Sequence, residues 1–229
     1  MHDLPKLLRR FQTAAQKLGL EFARVAVDHG DRWALCRCTH CNGTACAGTH
    51  CKGTGRSGHV HGAAQNPGQL SSEMIVIRLY DQWSKYCRDL VITSALGAGR
   101  TAAGTPLRRA DPKFLSEKVI AEAIPRRARI NWGIPRECVR VATELNISNL
   151  ATVRDAITAQ NSPSEDLRKV RNFFAHRNWE TMQKAAETGA FRDGRHPSVF
   201  DLAEYRAPAR STVDIWVDGL ANVAAAAAQ

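Results

Sequence analysis

Apolar residues recur at helical spacing from about residue 70 onward and predict an all-α fold there. Six apolar residues of the segment 71–95 share one face of a long helix: Ile75, Leu79, Trp83, Tyr86, Leu90 and Val91. Gly97 and Gly99 predict the end of this helix, because glycine readily adopts the left-handed conformation that terminates helices.

The same pattern predicts several shorter helices. Their ranges are about 3–18, 113–124, 135–145, 148–160, 179–188 and 197–205, with a C-terminal helix from about Ser211. Gly19 is expected to stop the first helix, and Ser148 to cap the fourth of these. Residues 22–36 predict a short β-hairpin. The alanine-rich end, 224–228, has little to pack and is expected to fray.

The strongest start signal lies before one further helix. Ser162-Pro163-Ser164-Glu165 is a capping box, with serine at the N-cap and glutamate at the third helical position. On a helical wheel, three apolar residues then share the core face: Leu167, Val170 and Phe174. Four polar residues share the opposite face: Glu165, Arg168, Asn172 and His176. Arg171 falls between the two faces and is long enough to reach the polar one.

Residues 37–69 have a different composition, rich in glycine, threonine, cysteine and histidine and almost free of aliphatic side chains. A segment this poor in core-forming residues needs a staple such as a metal ion, or it stays flexible. Cys38-x2-Cys41 has zinc-knuckle spacing. The best tetrahedral set is Cys38, Cys41, Cys46 and Cys51, with Cys36 and His50 as substitutes.

Zinc is favoured over an iron–sulfur cluster because histidines are interspersed among the cysteines. The fragments around Cys41 and Cys51 resemble in part the zinc-binding repeats of DnaJ chaperones, although Cys46-x4-Cys51 departs from their spacing. A redox-sensitive thiol cluster and a flexible loop are the alternatives. Bracing the segment is favoured over binding RNA, because stacking aromatics are absent between residues 34 and 79. Cys87 and Cys138 are expected to be core residues.

Charge adds a candidate partner. The 229 residues carry a formal net charge of +10, which suggests a polyanion such as RNA. The excess lies in residues 1–70 and 100–140, whereas residues 141–229 hold ten basic and eleven acidic side chains. No apolar stretch approaches a membrane span, and no secretory signal is evident, so a cytoplasmic protein without a membrane partner is expected.

The polar face of the capped helix carries groups that suit RNA cleavage. A histidine can exchange a proton near neutral pH, and an arginine can stabilise charge on a phosphoryl group. An asparagine can orient either partner, and no metal is needed if the RNA's own 2′-hydroxyl is the nucleophile. From spacing alone, a solvated helix face is the more ordinary interpretation.

The string Arg171-Asn172-x3-His176 resembles the motif of the HEPN superfamily of nucleotide-binding and RNA-cleaving domains. The resemblance implies a HEPN-like helical bundle and a metal-independent endoribonuclease that leaves 2′,3′-cyclic phosphate and 5′-hydroxyl ends. It implies proton transfer by His176, charge stabilisation by Arg171 and orientation by Asn172. It also implies a homodimer acting as a toxin or antiphage defence effector, with an antitoxin or other regulatory protein as a further partner.

Two domains are therefore expected: a Cys-rich zinc-stapled module over 1–69 and a HEPN-like helical domain over 70–229. Six basic residues are candidates for holding RNA: Arg168, Lys169, Arg177, Arg126, Arg127 and Arg129. One alternative is a catalytically silent HEPN protein that binds RNA, a nucleotide or a protein. Another is a zinc-dependent nucleic-acid-binding regulator.

The metal assignment predicts about one zinc ion per chain by elemental analysis, because four ligands complete one tetrahedral site. Cys38→Ser/Cys41→Ser should abolish zinc binding and lower thermal stability, since a structural site contributes its binding free energy to folding. Cys87→Ala, outside the cluster, serves as the control and should retain zinc. Purified protein without zinc, or undiminished zinc in the double variant, would show the assignment to be wrong.

Overall fold

The computed structural model describes residues 3–30, 67–97, 99–124, 130–160, 162–176, 178–190, 202 and 211–229. The described residues form eight helices: α1 (Leu4–Gly30), α2 (Pro67–Leu96), α3 (Glu117–Ala123), α4 (Pro135–Glu144), α5 (Leu150–Ile157), α6 (Ser164–His176), α7 (Trp179–Ala186) and α8 (Thr212–Ala227). Their β structure is limited to an isolated bridge between Arg100 and Pro106. The all-α prediction is thus confirmed.

The chain divides into two compact units. The first unit comprises Met1–Gln16, Leu79–Glu165 and Trp216–Gln229. The second unit comprises Lys17–Arg78 and Asp166–Ile215. The first therefore contains α3, α4 and α5, and the second contains α7 and most of α6.

The core of the first unit is built on the buried face of α2. Trp83, Tyr86 and Leu90 are at most 2% exposed. Phe11 of α1 packs against two of them, with ring centroids 4.8 Å from Tyr86 and 5.8 Å from Trp83. The predicted α2 stripe is thus confirmed, and its aromatic rings form a cluster with α1 that removes a large apolar area from water.

The alanine-rich end of α8 packs into this core, so the expectation that it frays is wrong. Ala224, Ala227 and Ala228 are fully buried. The Tyr86 hydroxyl donates a hydrogen bond to the carbonyl of Ala224 at 2.8 Å, and the Ala102 N–H donates to that of Ala228 at 2.7 Å. Methyl side chains leave room for this close approach of the α8 backbone.

The first helix is longer than predicted, because it does not stop at Gly19. α1 continues through Gly19 to Gly30, and the predicted hairpin is wrong for residues 22–30, while 31–36 lie outside the described residues. The apolar stripe explains the difference, because Leu18 and Phe22 are buried at helical spacing. A helical glycine costs about 1 kcal/mol relative to alanine, which burial of a phenylalanine outweighs.

The start of α8 and the course of α4 and α7 follow the sequence prediction. Ser211 and Asp214 form a reciprocal capping box, in which the Asp214 N–H donates to the Ser211 hydroxyl at 3.1 Å and the Ser211 N–H to the Asp214 carboxylate at 3.0 Å. α3 begins four residues later than predicted, capped by Ser116, whose hydroxyl accepts from the Val119 N–H.

Ser148 does not cap α5. Its hydroxyl instead accepts a hydrogen bond from the backbone N–H of Arg108 at 3.2 Å, and Asn149 is the residue that precedes α5. The serine is thus used to hold the long loop between α2 and α3. The helix predicted over 197–205 lies outside the described residues, apart from the helical Leu202.

Cys87 and Cys138 are both buried, which confirms them as core residues, and they form no disulfide with one another. The Cys138 thiol donates a hydrogen bond to the Cys87 carbonyl at 4.0 Å. Burial raises the pKa of the Cys87 thiol, so this group stays protonated and unreactive at neutral pH. No helix among the described residues is both long and apolar enough to cross a membrane.

Two glycines of the α2–α3 connection give a matched test of packing. Gly97 ends α2 at φ +60°, and a Cβ there would collide with the Arg109 backbone. Gly104 has φ +85° and open space around it. Gly104→Ala should lower the free energy of unfolding by about 1–2 kcal/mol, because alanine is strained in the left-handed conformation. Gly97→Ala should cost about 1–3 kcal/mol more, because the loop must also shift.

Urea denaturation of the two variants measures this difference in the free energy of unfolding. Equal losses would mean that the close approach of Arg109 to Gly97 does not exist in the folded protein.

Candidate active site on helix α6

The start of α6 is held by serine hydroxyls and by close packing of α8. The Ser164 N–H donates to the Ser162 hydroxyl oxygen at 3.5 Å, and the two hydroxyls lie 2.9 Å apart. Pro163 packs against Gly219 of α8 so closely that a Cβ on Gly219 would lie 2.9 Å from the proline ring. The helix begins at Ser164, within one residue of the start that the capping sequence predicted, with the Ser162 hydroxyl accepting from its first turn.

The two faces of α6 are those expected from the sequence. Leu167 and Val170 are fully buried and Phe174 is 6% exposed, so the core face is confirmed. On the other side, Asn172 is half-buried and His176 is exposed. This arrangement keeps the imidazole accessible while the apolar stripe anchors the helix that carries it.

Arg171 and Asn172 are joined by a hydrogen bond. Arg171 Nη1 donates to Asn172 Oδ1 at 3.3 Å, and both side chains are half-buried. Since a guanidinium carries five N–H donors, a bond through one of them orients the group without exhausting it. Asn172 and Arg171 are thus in direct contact on α6.

His176 lies at the opposite end of the motif. It is the last residue of α6, five positions beyond Arg171. Helix geometry separates the two Cα atoms by about 7.5 Å along the axis and by about 140° around it. Flexible side chains can shorten this gap, but the backbone does not point the two groups at one spot.

The surrounding charges are mixed. Lys169 Nζ lies 3.4 Å from Glu187, beyond the end of α7, and its side chain is only 27% exposed. On α7, Lys184 donates to Glu180 at 2.5 Å, and this hydrogen bond lowers the pKa of the Glu180 carboxyl. The segment around the motif therefore holds ion pairs as well as cations, and Arg168 is half-buried.

Trp179 was not among the residues predicted from sequence. It is the first residue of α7 and is 66% exposed, which is unusual for so large an apolar side chain. Asn178 fixes its position by capping α7, because the Asn178 Oδ1 accepts from the Thr181 N–H at 2.9 Å. Two residues separate Trp179 from His176, so their Cα atoms lie within about 11 Å. The sequence signal was an Asn cap directly before an aromatic.

Several predicted site residues lie outside the described residues. They are the basic residues Arg126, Arg127, Arg129 and Arg177 and the metal ligands Cys36, Cys38, Cys41, Cys46, His50 and Cys51. Among the residues that the structure does describe, no cluster of three or more potential ligands could hold a metal ion. The zinc site therefore stays a prediction.

No protein-family model matches the chain, and no curated protein or solved structure shows a significant similarity to it. The resemblance to the HEPN superfamily therefore rests on Arg171, Asn172 and His176 in their helical context.

Proposed function

We propose that this protein is a metal-independent endoribonuclease of the HEPN type. The observation that carries the proposal is the hydrogen bond between Arg171 and Asn172 on the helix that exposes His176, opposite a buried apolar face. An arginine held by a neighbour and an accessible imidazole are the two groups that a phosphodiester transfer needs when no metal takes part.

The reaction balances with the RNA as its own nucleophile. The ribose 2′-hydroxyl loses its proton and its oxygen attacks the adjacent phosphorus, while the bond from phosphorus to the 5′-oxygen breaks and that oxygen gains a proton. His176 acts in proton transfer at the 2′-hydroxyl or at the leaving 5′-oxygen, and Arg171 stabilises the negative charge on the phosphoryl oxygens. Asn172 positions the arginine. The products are a 2′,3′-cyclic phosphate and a 5′-hydroxyl.

Helix geometry favours a homodimer as the active form. Because Arg171 and His176 point about 140° apart on one helix, a single copy brings them to one phosphate with difficulty. Two copies facing each other across a twofold axis would place the arginine of one beside the histidine of the other.

The biological role proposed with this activity is that of a cytoplasmic toxin or antiphage defence effector, restrained by an antitoxin or other regulatory protein. The net charge of +10 supports RNA as the substrate, because phosphate neutralisation supplies sequence-independent affinity. A zinc-stapled N-terminal segment would brace the chain and take no part in the chemistry.

Removing the imidazole tests the catalytic assignment. Wild type should cleave labelled total RNA in excess EDTA, and His176→Ala should lower the rate at least about a hundredfold, the usual contribution of general acid–base catalysis. Gln183→Ala, an exposed change on α7, is the matched control and should cleave like wild type. Gel electrophoresis with end-group analysis measures both rate and product chemistry.

Equal cleavage by wild type and His176→Ala would refute the assignment. RNA binding without cleavage under every condition would favour the catalytically silent alternative, and loss of all binding with EDTA would favour the zinc-dependent regulator.

The exposed tryptophan predicts a base-stacking contact beside the motif. Trp179→Ala should weaken binding of an uncleavable 2′-O-methyl RNA by about 1–3 kcal/mol, the contribution of stacking one base, and Trp179→Phe should retain most of the affinity. Met74→Ala, which removes another exposed apolar side chain of the second unit, is the control. Fluorescence anisotropy measures the affinities, and equal values for all variants would exclude a stacking role.

A further inference from the structure

A cavity of about 300 Å³ lies within the first unit, lined by α1, α2 and the first residue of α3. Its apolar lining comes from Leu7, Phe11 and Ile92, none more than 8% exposed. This volume is at the lower end of the range that holds small organic ligands. The cavity lies outside the second unit and takes no part in the proposed RNA chemistry.

The walls of the cavity are built from two regular helix faces. On α1 the lining residues are spaced by three and four positions, and on α2 they recur at the same spacing over residues 82–93. Such residues share one side of a helix, so the lining is set by secondary structure rather than by loops. A site held in this way is already shaped before a ligand arrives.

Four hydrogen-bond donors line this cavity without a partner in the described part of the chain. They are the side chains of Arg10, Gln82, Lys85 and Thr93. Thr93 is only 3% exposed, and its hydroxyl can bond water or a ligand that enters the cavity. Arg10 and Lys85 can only donate hydrogen bonds, so they favour a ligand that brings acceptors.

The charged side chains of the cavity also favour an anionic ligand. Arg10 and Lys85 are exposed cations on facing helices, whereas Arg88 is bonded to Asp89 at 2.9 Å. Asp89 is therefore compensated by Arg88. Glu117, the first residue of α3, is the second carboxylate of the lining, so the lining holds three cations and two carboxylates. An anionic group is best accommodated between Arg10 and Lys85.

We propose that this cavity binds a small amphipathic organic anion, a carboxylate or phosphate monoester with an apolar body. The body packs on Leu7, Phe11 and Ile92, and the headgroup accepts hydrogen bonds from Arg10 and Lys85. This site is independent of the ribonuclease assignment, so either can fail without the other.

Displacement of the fluorescent sulfonate 8-anilinonaphthalene-1-sulfonate tests the proposal on the full chain. Decanoate and decyl phosphate should displace the probe, and decyltrimethylammonium of equal chain length should not. Arg10→Gln/Lys85→Gln should weaken both anions about tenfold, because two charge-assisted hydrogen bonds are lost. The tighter of the two anions identifies the headgroup.

The control is Arg9→Gln/Lys118→Gln, which removes the same two positive charges from exposed positions outside the cavity and should leave binding unchanged. Equal weakening in both double variants, or equal displacement by the cation, would overturn the proposal. If the cavity variant does not fold, a photoreactive decanoate analogue is used on wild type. Labelling must then fall on residues 7–11, residues 82–93 or Glu117, and labelling elsewhere contradicts the site.

Discussion

Burial of one face of α2 is the constraint on which the first unit depends. Trp83 and Tyr86 lie at its centre with Phe11 of α1, and the Tyr86 hydroxyl reaches the carbonyl of Ala224 at 2.8 Å. This bond and the burial of Ala224, Ala227 and Ala228 tie the C-terminal helix to the core. The same helix packs through Gly219 on Pro163, directly before the first residue of α6. The capped start of the candidate catalytic helix is thus fixed by contacts that lead back to α2.

Periodicity predicted the helices well because burial of apolar stripes decides where helices form. The starts of α6 and α8 were predicted to within one residue, because serine side chains before both helices accept from the first backbone N–H groups. The predictions for Gly19 and Ser148 were wrong because the role of each residue depends on packing outside its own position. Gly19 stays helical because burial of Phe22 stabilises the continuation of α1, and the Ser148 hydroxyl accepts from the Arg108 N–H instead of capping α5. The buried alanine end was missed because alanine reveals little about what approaches it.

The candidate site was predictable in part. The helical wheel placed Leu167, Val170 and Phe174 in the core and left His176 exposed, since this follows from 100° per residue. The Arg171–Asn172 hydrogen bond depends on side-chain conformation, which spacing does not encode. The α1–α2 cavity could not be predicted at all, because it exists only where two helix faces from distant parts of the sequence meet.

The central claim is that the RNA supplies its own nucleophile to a site built on Arg171 and His176. The most direct measurement uses a short RNA in which the mapped cut site carries a single 2′-deoxy nucleotide on the 5′ side of the scissile phosphate. The account predicts that wild-type protein in EDTA cleaves the all-ribose strand and leaves the substituted bond intact. Cleavage of that bond at an undiminished rate would contradict the account, because no 2′-oxygen would then be available to attack.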